Sequence, residues 1–356
     1  MKIAVIAEMA PAKAFIPIIK KLDAEIIGLT HGHGVEELMG QYCTEIHSIG
    51  KSRGQGAQKR SNAKIASLVF EDIWSVVKSL RGKNVDLLLT CGNAGDVRKG
   101  LAASKILQTP TLHIEQDIYN PIEMIAFSNI ITVPSDRYKD FVTKKYGFKN
   151  VKVIGGYPMA SYVSEVPLAN VDDVKARYGV DDFLVLVFGG DIKGADIPNI
   201  IKDVETLERD VLVVPFRFDT DYVQKCVNSP KLRVLDGYVD LPGLMKASSG
   251  VIYAAGMGLT IEAGVLGVPA VKVAGFHRQH ASVDLAGELG IEVAEIGEIS
   301  RAVSDMKAPR GKWLAEGGEK AVSNVVSLVN NFENEKVPSS GFGSFKKIWN
   351  ARKEFR

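Results

Sequence analysis

The chain has 356 residues, 46% of them hydrophobic and 24% charged, with a formal net charge of +2. That length is generous for one core and natural for two domains, and so small a charge excludes the electrostatic footprint of a nucleic-acid binder. Cys43, Cys91 and Cys226 are scattered and odd in number, which excludes a disulfide framework and a paired-cysteine metal motif and points to a reducing, cytoplasmic setting.

In chain order, Lys2–Ala7 is a short apolar run closed by Glu8, and it reads as a buried first strand rather than a leader peptide. Strand candidates follow at Glu25–Leu29, Val85–Thr90, Thr109–His113, Ile130–Val133 and Val151–Ile154. Between them, Ile65, Leu68, Val69, Ile73, Val76, Val77 and Leu80 form a helical stripe over Ala63–Leu80. Beyond Pro158 the stretch 161–172 lacks periodicity and reads as a linker. Strands then resume at Phe183–Phe188, Val211–Pro215, Leu232–Leu235, Gly250–Tyr253, Ala270–Val273 and Glu292–Ala294. Strands spaced by helices predict an α/β protein of two doubly wound, Rossmann-like domains, 1–160 and 161–330, facing across a cleft. A tail, 331–356, returns to the body. Its Asn330–Gly343 portion should be irregular. Phe345–Arg356 is basic, with Ile348, Trp349 and Phe355 to cover one side. It either docks on the protein, the favoured reading, or lies on an anionic membrane surface. Lys51–Arg60, basic and without an acid, is a second candidate for a membrane surface, or a solvated segment. No apolar run reaches the roughly 18 residues a membrane span needs.

Glycine turns close several strands. Gly189 and Gly190 end one, and Gly194 precedes the next helix; together they can admit a diphosphate. Asp191 would repel that ligand if it pointed inward, so it should cap locally or face solvent. The pattern is neither GxGxxG nor a P-loop. Ala255–Gly258 with Leu259 and Thr260 opens a helix whose amides suit an anion. Glu262, expected about the first turn, is either a partner of the helix dipole or an acceptor for ribose hydroxyls. In Phe276–His280, Arg278 and Gln279 suit a polyhydroxyl or diphosphate group. His277 and His280 lack a cysteine or carboxylate partner, so no metal is expected. In the first half, Thr90–Asp96 carries Asn93, Gly95 and Asp96 on a turn. His113, Glu115 and Asp117, flanking Gln116, share one face if alternation persists, and such groups can tune one another for proton transfer. The plainer alternative is a capped loop. His31 and His33 also end a strand.

Together these motifs resemble the GT-B glycosyltransferases, most of all the MurG-like enzymes that move N-acetylglucosamine from UDP-GlcNAc to a lipid-linked acceptor. On that resemblance Gly189, Gly190 and Gly194 begin the donor site, and Gly256, Gly258, Leu259 and Thr260 cradle the diphosphate. Glu262, one residue short of the family's spacing, binds the ribose, and Gln279 reads the donor sugar. Glu115-Gln116-Asp117 resembles the family's H-E-Q-N turn, and Thr90–Gly95 its second glycine loop. The first loop departs: Ala7–Ala12 stands where the family has G-G-T-G-G-H. The resemblance implies a metal-independent glycosyltransferase whose substrate is a nucleotide-sugar, UDP-linked, with no separate cofactor and no nucleic acid. Its acceptor is unidentified, lipid-linked if the enzyme sits peripherally at the inner membrane face. Glu115 is then the first candidate base, with Asp96 and Glu8 in reserve, and Asn93, Gly95, His113 and Asp117 line the acceptor side. A weaker resemblance leads to UDP-GlcNAc 2-epimerases, which place a histidine and glutamate like His113-Ile114-Glu115 but carry an S-G-G-x-x-E-E turn missing here. A non-hydrolysing epimerase and an inactive sugar-nucleotide binder are the alternatives.

Overall fold

The computed structural model describes residues 1–32, 34–50, 62–92, 94–116, 118–237, 239–276, 278–335 and 338–354. They divide into two compact units: the first takes the described residues up to 162 and from 316 onward, the second takes Val163–Ala315.

Runs such as Ile3–Ala7 and Leu184–Phe188 are buried along their whole length, which suits parallel strands covered by helices on both faces. The first unit contains β1 (Lys2–Ala7), β2 (Glu25–Thr30), β3 (Glu45–Ser48), β4 (Leu87–Cys91), β5 (Thr111–Ile114), β6 (Ile130–Val133) and β7 (Val151–Val153), in the order β3-β2-β1-β4-β5-β6-β7. The second contains β8 (Phe183–Phe188), β9 (Asp210–Val214), β10 (Leu232–Val234), β11 (Gly250–Ala254), β12 (Ala270–Val273) and β13 (Glu292–Ala294), ordered β10-β9-β8-β11-β12-β13. All pairings are parallel. The result is a GT-B-like pair of doubly wound domains, the fold class that the strand–helix alternation predicts. In each sheet the order reverses around the first strand, and that switch point is where open α/β sheets present ligand-binding loops.

Register brings the site residues level. Ile6 lies opposite Leu29 on one side and Thr90 on the other, so the loops after β1, β2 and β4 leave the sheet together. The helix Ala94–Leu107 packs closely over this seam: a Cβ at Gly100 would lie 3.0 Å from Thr90 Cγ2 and 3.2 Å from Ile6 Cγ2. Val76, Val77 and Leu80 of the helix Asn62–Leu80 join Ile6, Leu29 and Leu88 in the core, while the side chains of Ile65, Leu68 and Val69 from the expected stripe lie outside what the structure describes. The second unit's core joins Leu184, Leu186 and Phe188 of β8 to Ile200, Ile201, Ile252 and Val271.

Three expectations change. The polar sequence of Glu45–Ser48 hides an edge strand, β3, whose residues need no apolar pattern. The supposed linker 161–172 is largely helical, within Pro158–Glu165 and Val171–Tyr178. Asn170 accepts from the Asp172 N–H at the start of the latter helix, and Gly179 closes it at φ 59°. The tail is also mostly helical, with Phe332–Glu335 and Phe342–Glu354 following the helix that ends at Asn330. In the last helix Ile348 is fully buried, Phe345 stacks on Trp349 with ring centroids 6.0 Å apart, and Phe127 contacts both Phe342 and Phe345. Ile348 is therefore docked on the protein, while Phe342 and Trp349 remain exposed and Phe355 lies outside the described residues. Lys51–Arg60 lies outside the described residues, and no described helix is long and apolar enough to cross a membrane.

Ile348→Ala should destabilise the first unit by about 2–4 kcal/mol, the usual cost of emptying a buried aliphatic site. Denaturant unfolding checks this; an unchanged midpoint would mean that the terminal helix contributes no core packing.

Candidate functional site

The carboxyl edge of the first sheet gathers ionisable groups. Glu8 follows β1, His31 follows β2, and Asp96 sits in the first turn of Ala94–Leu107. Asp96 is fully buried. Its Oδ1 lies 2.5 Å from His31 Nε2 and 2.9 Å from the Lys99 ammonium. Burial works against the Asp96 charge, but the His31 hydrogen bond and the Lys99 ammonium outweigh it and hold the carboxyl below its ordinary range. Asp96 Oδ2 and His31 Nδ1 are buried without a hydrogen-bond partner, so the group retains capacity for a ligand. Donor atoms of Glu8, His31 and Asp96 lie within 4.8 Å of one another and could hold a metal ion. Lys99 already supplies the countercharge there, which favours a hydrogen-bonding and proton-transfer group over a cation site.

A second chain of contacts crosses from β4 to the end of β5. Thr90 Oγ1 and His113 Nδ1 are 2.9 Å apart, and His113 Nε2 is 3.3 Å from Glu115 Oε2. With the threonine hydroxyl donating to Nδ1, the imidazole proton sits on Nε2; the approach of Nε2 to Oε2 is close but is not an aligned hydrogen bond. Both His113 and Glu115 are buried. The strand alternation therefore brings together two of its three expected partners; Asp117, like Asn93 and His33, lies outside the described residues. Gly95 is exposed at the start of the helix that carries Asp96. Burial, with the Glu115 and Asp96 carboxylates, drives the Cys91 thiol far above its usual range, so it is no nucleophile.

The second sheet's carboxyl edge is built for close approach. A Cβ on Gly189 would overlap Ala255, and one on Gly275 would overlap Asp191. The turns after β8, β11 and β12 therefore touch through their backbones. Asp191 neither caps nor faces solvent: it is buried, with Oδ2 3.1 Å from the Lys272 ammonium, which also donates to the Ala255 carbonyl at 2.5 Å. Its backbone carbonyl accepts from the Phe276 N–H at 3.0 Å. Burial lowers the Lys272 pKa, and the Asp191 carboxylate counters part of that effect. Gly256 precedes the helix Met257–Leu266 without a side-chain cap, leaving the first-turn amides available to an anion. Gly258 and Leu259 lie in that first turn, while Thr260 Oγ1 bonds the Gly256 carbonyl and accepts from Tyr253. Glu262 is in the second turn, not the first, and is buried. Gly190 and Gln279 are exposed, and Gly194 opens a short 3-10 turn. Arg278 pairs with Glu295, and His280 Nδ1 accepts from the Ser282 N–H at 3.0 Å as a helix cap. That cap gives His280 a structural role, while His277 lies outside the described residues.

Sequence reasoning missed Lys99 and Lys272. Lys272 carried a signal, a lone cation inside the apolar run Ala270–Ala274; Lys99 resembled any helix-surface lysine until its helix was placed over β1 and β4.

The fold and its two polar edges define a Rossmann-type pair with closely packed glycine turns and an uncapped helix entry in one unit and buried imidazole–carboxylate groups in the other. No protein-family model matches the chain, and no curated protein matches it in sequence. Solved structures do match. The UDP-N-acetylglucosamine 2-epimerase of Rickettsia bellii superposes with a TM-score of 0.71 at 12% identity, over 94% of this chain and 96% of that one. The UDP-GlcNAc 2-epimerase of Methanocaldococcus jannaschii, solved with UDP-GlcNAc and UDP, gives 0.69 at 16% identity, over 93% and 100%. The calicheamicin glycosyltransferase CalG4 is less similar, at 0.53 and 11% identity over 95% and 99%. At these identities the likeness establishes the fold. It also corrects two expectations, the MurG-like resemblance and the transfer of a sugar to an acceptor, because the likeness runs to 2-epimerases. The physical reason is that glycine turns and a bare helix entry suit any nucleotide-diphosphate and do not discriminate between reactions. The replaced first loop and the His113–Glu115 pair were the more telling features.

Beyond β5 the backbone is held by Glu123. Its carboxylate takes two bonds from Arg98, at 2.5 and 2.9 Å, while Arg352 of the terminal helix reaches the Asn120 and Pro121 carbonyls at 2.8 and 2.9 Å. Burial opposes the Glu123 charge, but the Arg98 bonds outweigh it and hold its pKa below the ordinary value. A depressed carboxylate stabilises the fold fully above the unfolded value, about 4.3, and loses that contribution as pH falls through the folded value. Wild-type stability should therefore drop more steeply below about pH 4.3 than that of Glu123→Gln. Urea midpoints between neutral and acid pH check this; parallel curves would contradict the assignment.

Proposed function

We propose that this chain is a non-hydrolysing epimerase acting at C2 of a UDP-linked 2-acetamido sugar. The observation that carries the reading is the buried His113–Glu115 pair on a fold shared with UDP-GlcNAc 2-epimerases. Inverting a C–H centre requires a proton to leave one face and return to the other, so the chemistry calls for more than one proton-handling group or one that moves. Glu115, beside the His113 imidazole, serves as base at C2. His31, bonded to the ionised Asp96 carboxylate that Lys99 also faces, supplies the second, proton-donating group, with Glu8 beside it. Glu115 takes the C2 proton as the C1–O bond to UDP breaks; re-addition of UDP and protonation of C2 from His31 on the other face yield the epimer, after which Glu115 loses its proton to solvent and His31 regains one. The second unit's contribution is the nucleotide: the amides of the helix entry at Gly256, Gly258, Leu259 and Thr260 and the turn at Gly189, Gly190 and Gly194 stabilise the departing diphosphate. Glu262 accepts from the ribose and Gln279 meets the sugar. An epimerase takes no acceptor, so the acceptor-side roles of Asn93, Gly95, His113 and Asp117 have no counterpart, and His113 becomes the partner of the base.

Two measurements test this. UDP-GlcNAc incubated with the enzyme in deuterated water should gain deuterium at C2, and Glu115→Gln should slow that exchange at least about 100-fold while sparing UDP affinity. No deuterium at C2 despite bound UDP-GlcNAc would defeat the epimerase reading. Glu262→Ala should weaken UDP and UDP-sugar equally, by about 1–3 kcal/mol, because the ribose contact is common to both. Unchanged calorimetric affinities would reduce Glu262 to a packing residue.

A further inference from the structure

We infer that Lys272 is the positioning residue of the diphosphate subsite: its buried ammonium ties the turns after β8 and β11 into one surface and neutralises the carboxylate beneath it. The inference rests on the reading that the second unit holds the nucleotide.

Lysine in the middle of a buried strand is costly, since an ammonium stripped of water must be repaid by partners. Lys272 is 0% exposed, and its Nζ donates to Asp191 Oδ2 at 3.1 Å and to the Ala255 carbonyl at 2.5 Å. It also lies 5.6 Å from the centroid of the Tyr253 ring, a cation–π contact. Each partner belongs to a different glycine turn: Asp191 follows Gly189-Gly190, and Ala255 precedes Gly256. The third turn closes on the same residue, because Phe276 N–H donates to the Asp191 carbonyl and Gly275 leaves no room for a Cβ beside it. One ammonium thus fixes the spacing of the amides proposed to meet a diphosphate.

The electrostatics agree. An unpaired carboxylate after Gly190 would repel a diphosphate through a low-dielectric floor. Paired with Lys272 it presents no net charge, and its remaining buried oxygen, Oδ1, has no hydrogen-bond partner, so it can accept from a ligand hydroxyl or a water. A purely structural lysine would be expected to bond an arbitrary carbonyl; this one joins the two turns that the fold's switch point places at the ligand-binding edge.

The test compares wild type, Lys272→Met and the neutral pair Asp191→Asn/Lys272→Met, which leaves no unpaired charge buried and keeps the comparison usable where the single variant folds poorly. Thermal melting follows the fold, and calorimetry follows binding of UDP, uridine and inorganic pyrophosphate. Both variants should lose UDP and pyrophosphate affinity by about 10- to 100-fold, the scale of charge-assisted hydrogen bonds mispositioned, with uridine affinity unchanged. A folded neutral pair that binds UDP and pyrophosphate like wild type would overturn the inference, as would equal losses for uridine. Wild type that binds pyrophosphate in a Lys272-dependent way but not UDP would refute the nucleotide reading and sustain the positioning role. Wild type that binds neither would overturn both.

Discussion

A parallel sheet covered by helices on both faces leaves polar chemistry one principal outlet, the edge where strands give way to loops. Both sheets of this protein obey that constraint. Their central strands are buried along almost their whole length, and the ionisable groups of both edges sit within a few residues of a strand's carboxyl end. Glu8, His31, Glu115 and Asp191 all occupy such positions, and Asp96 follows β4 by one helical turn. The register of β1 with β2 and β4 makes the first cluster possible. The close contact at Gly100 sets the helix that delivers Asp96 and Lys99.

Each edge contains a buried lysine–aspartate pair, Lys99–Asp96 in one unit and Lys272–Asp191 in the other. Such pairs are poor sources of stability, because desolvation offsets most of the attraction. Their value lies in geometry and in the state of ionisation they enforce. Asp96 stays charged in a setting that burial alone would neutralise, and it keeps one oxygen without a partner. Asp191 likewise keeps one oxygen unpartnered while its charge is cancelled. The first arrangement suits the acceptance of a proton or hydrogen bond, and the second suits the proposed anion cradle.

Much of the fold was legible because buried parallel strands are continuous apolar runs, and Phe183–Phe188, Ile130–Val133 and Ala270–Val273 stand in the structure with the ends their sequence gives them. What escaped was polar or short. Glu45–Ser48 lies at a sheet edge, where solvent satisfies its exposed side and no apolar pattern is required. Stretch 161–172 contains Pro167 and looks irregular, yet Asn170 and Gly179 delimit a helix by capping chemistry rather than by hydrophobic period. The site was readable in its residue types and unreadable in its pairings. His113 and Glu115 could be placed on one face by alternation, whereas Lys99 with Asp96 and Lys272 with Asp191 meet only through tertiary packing. The reaction class is hidden for a related reason: glycine turns are compatible with many nucleotide-diphosphate ligands and say little about what happens to the sugar.

The central claim is that the bound sugar is inverted at C2 with UDP returned to it. Proton NMR of UDP-GlcNAc incubated with the enzyme tests this most directly. The account predicts a second UDP-linked sugar with the opposite configuration at C2, the same final mixture when the reaction starts from that epimer, and no net accumulation of free UDP. Bound UDP-GlcNAc whose sugar stays unchanged, or steady release of UDP and free sugar, would contradict it.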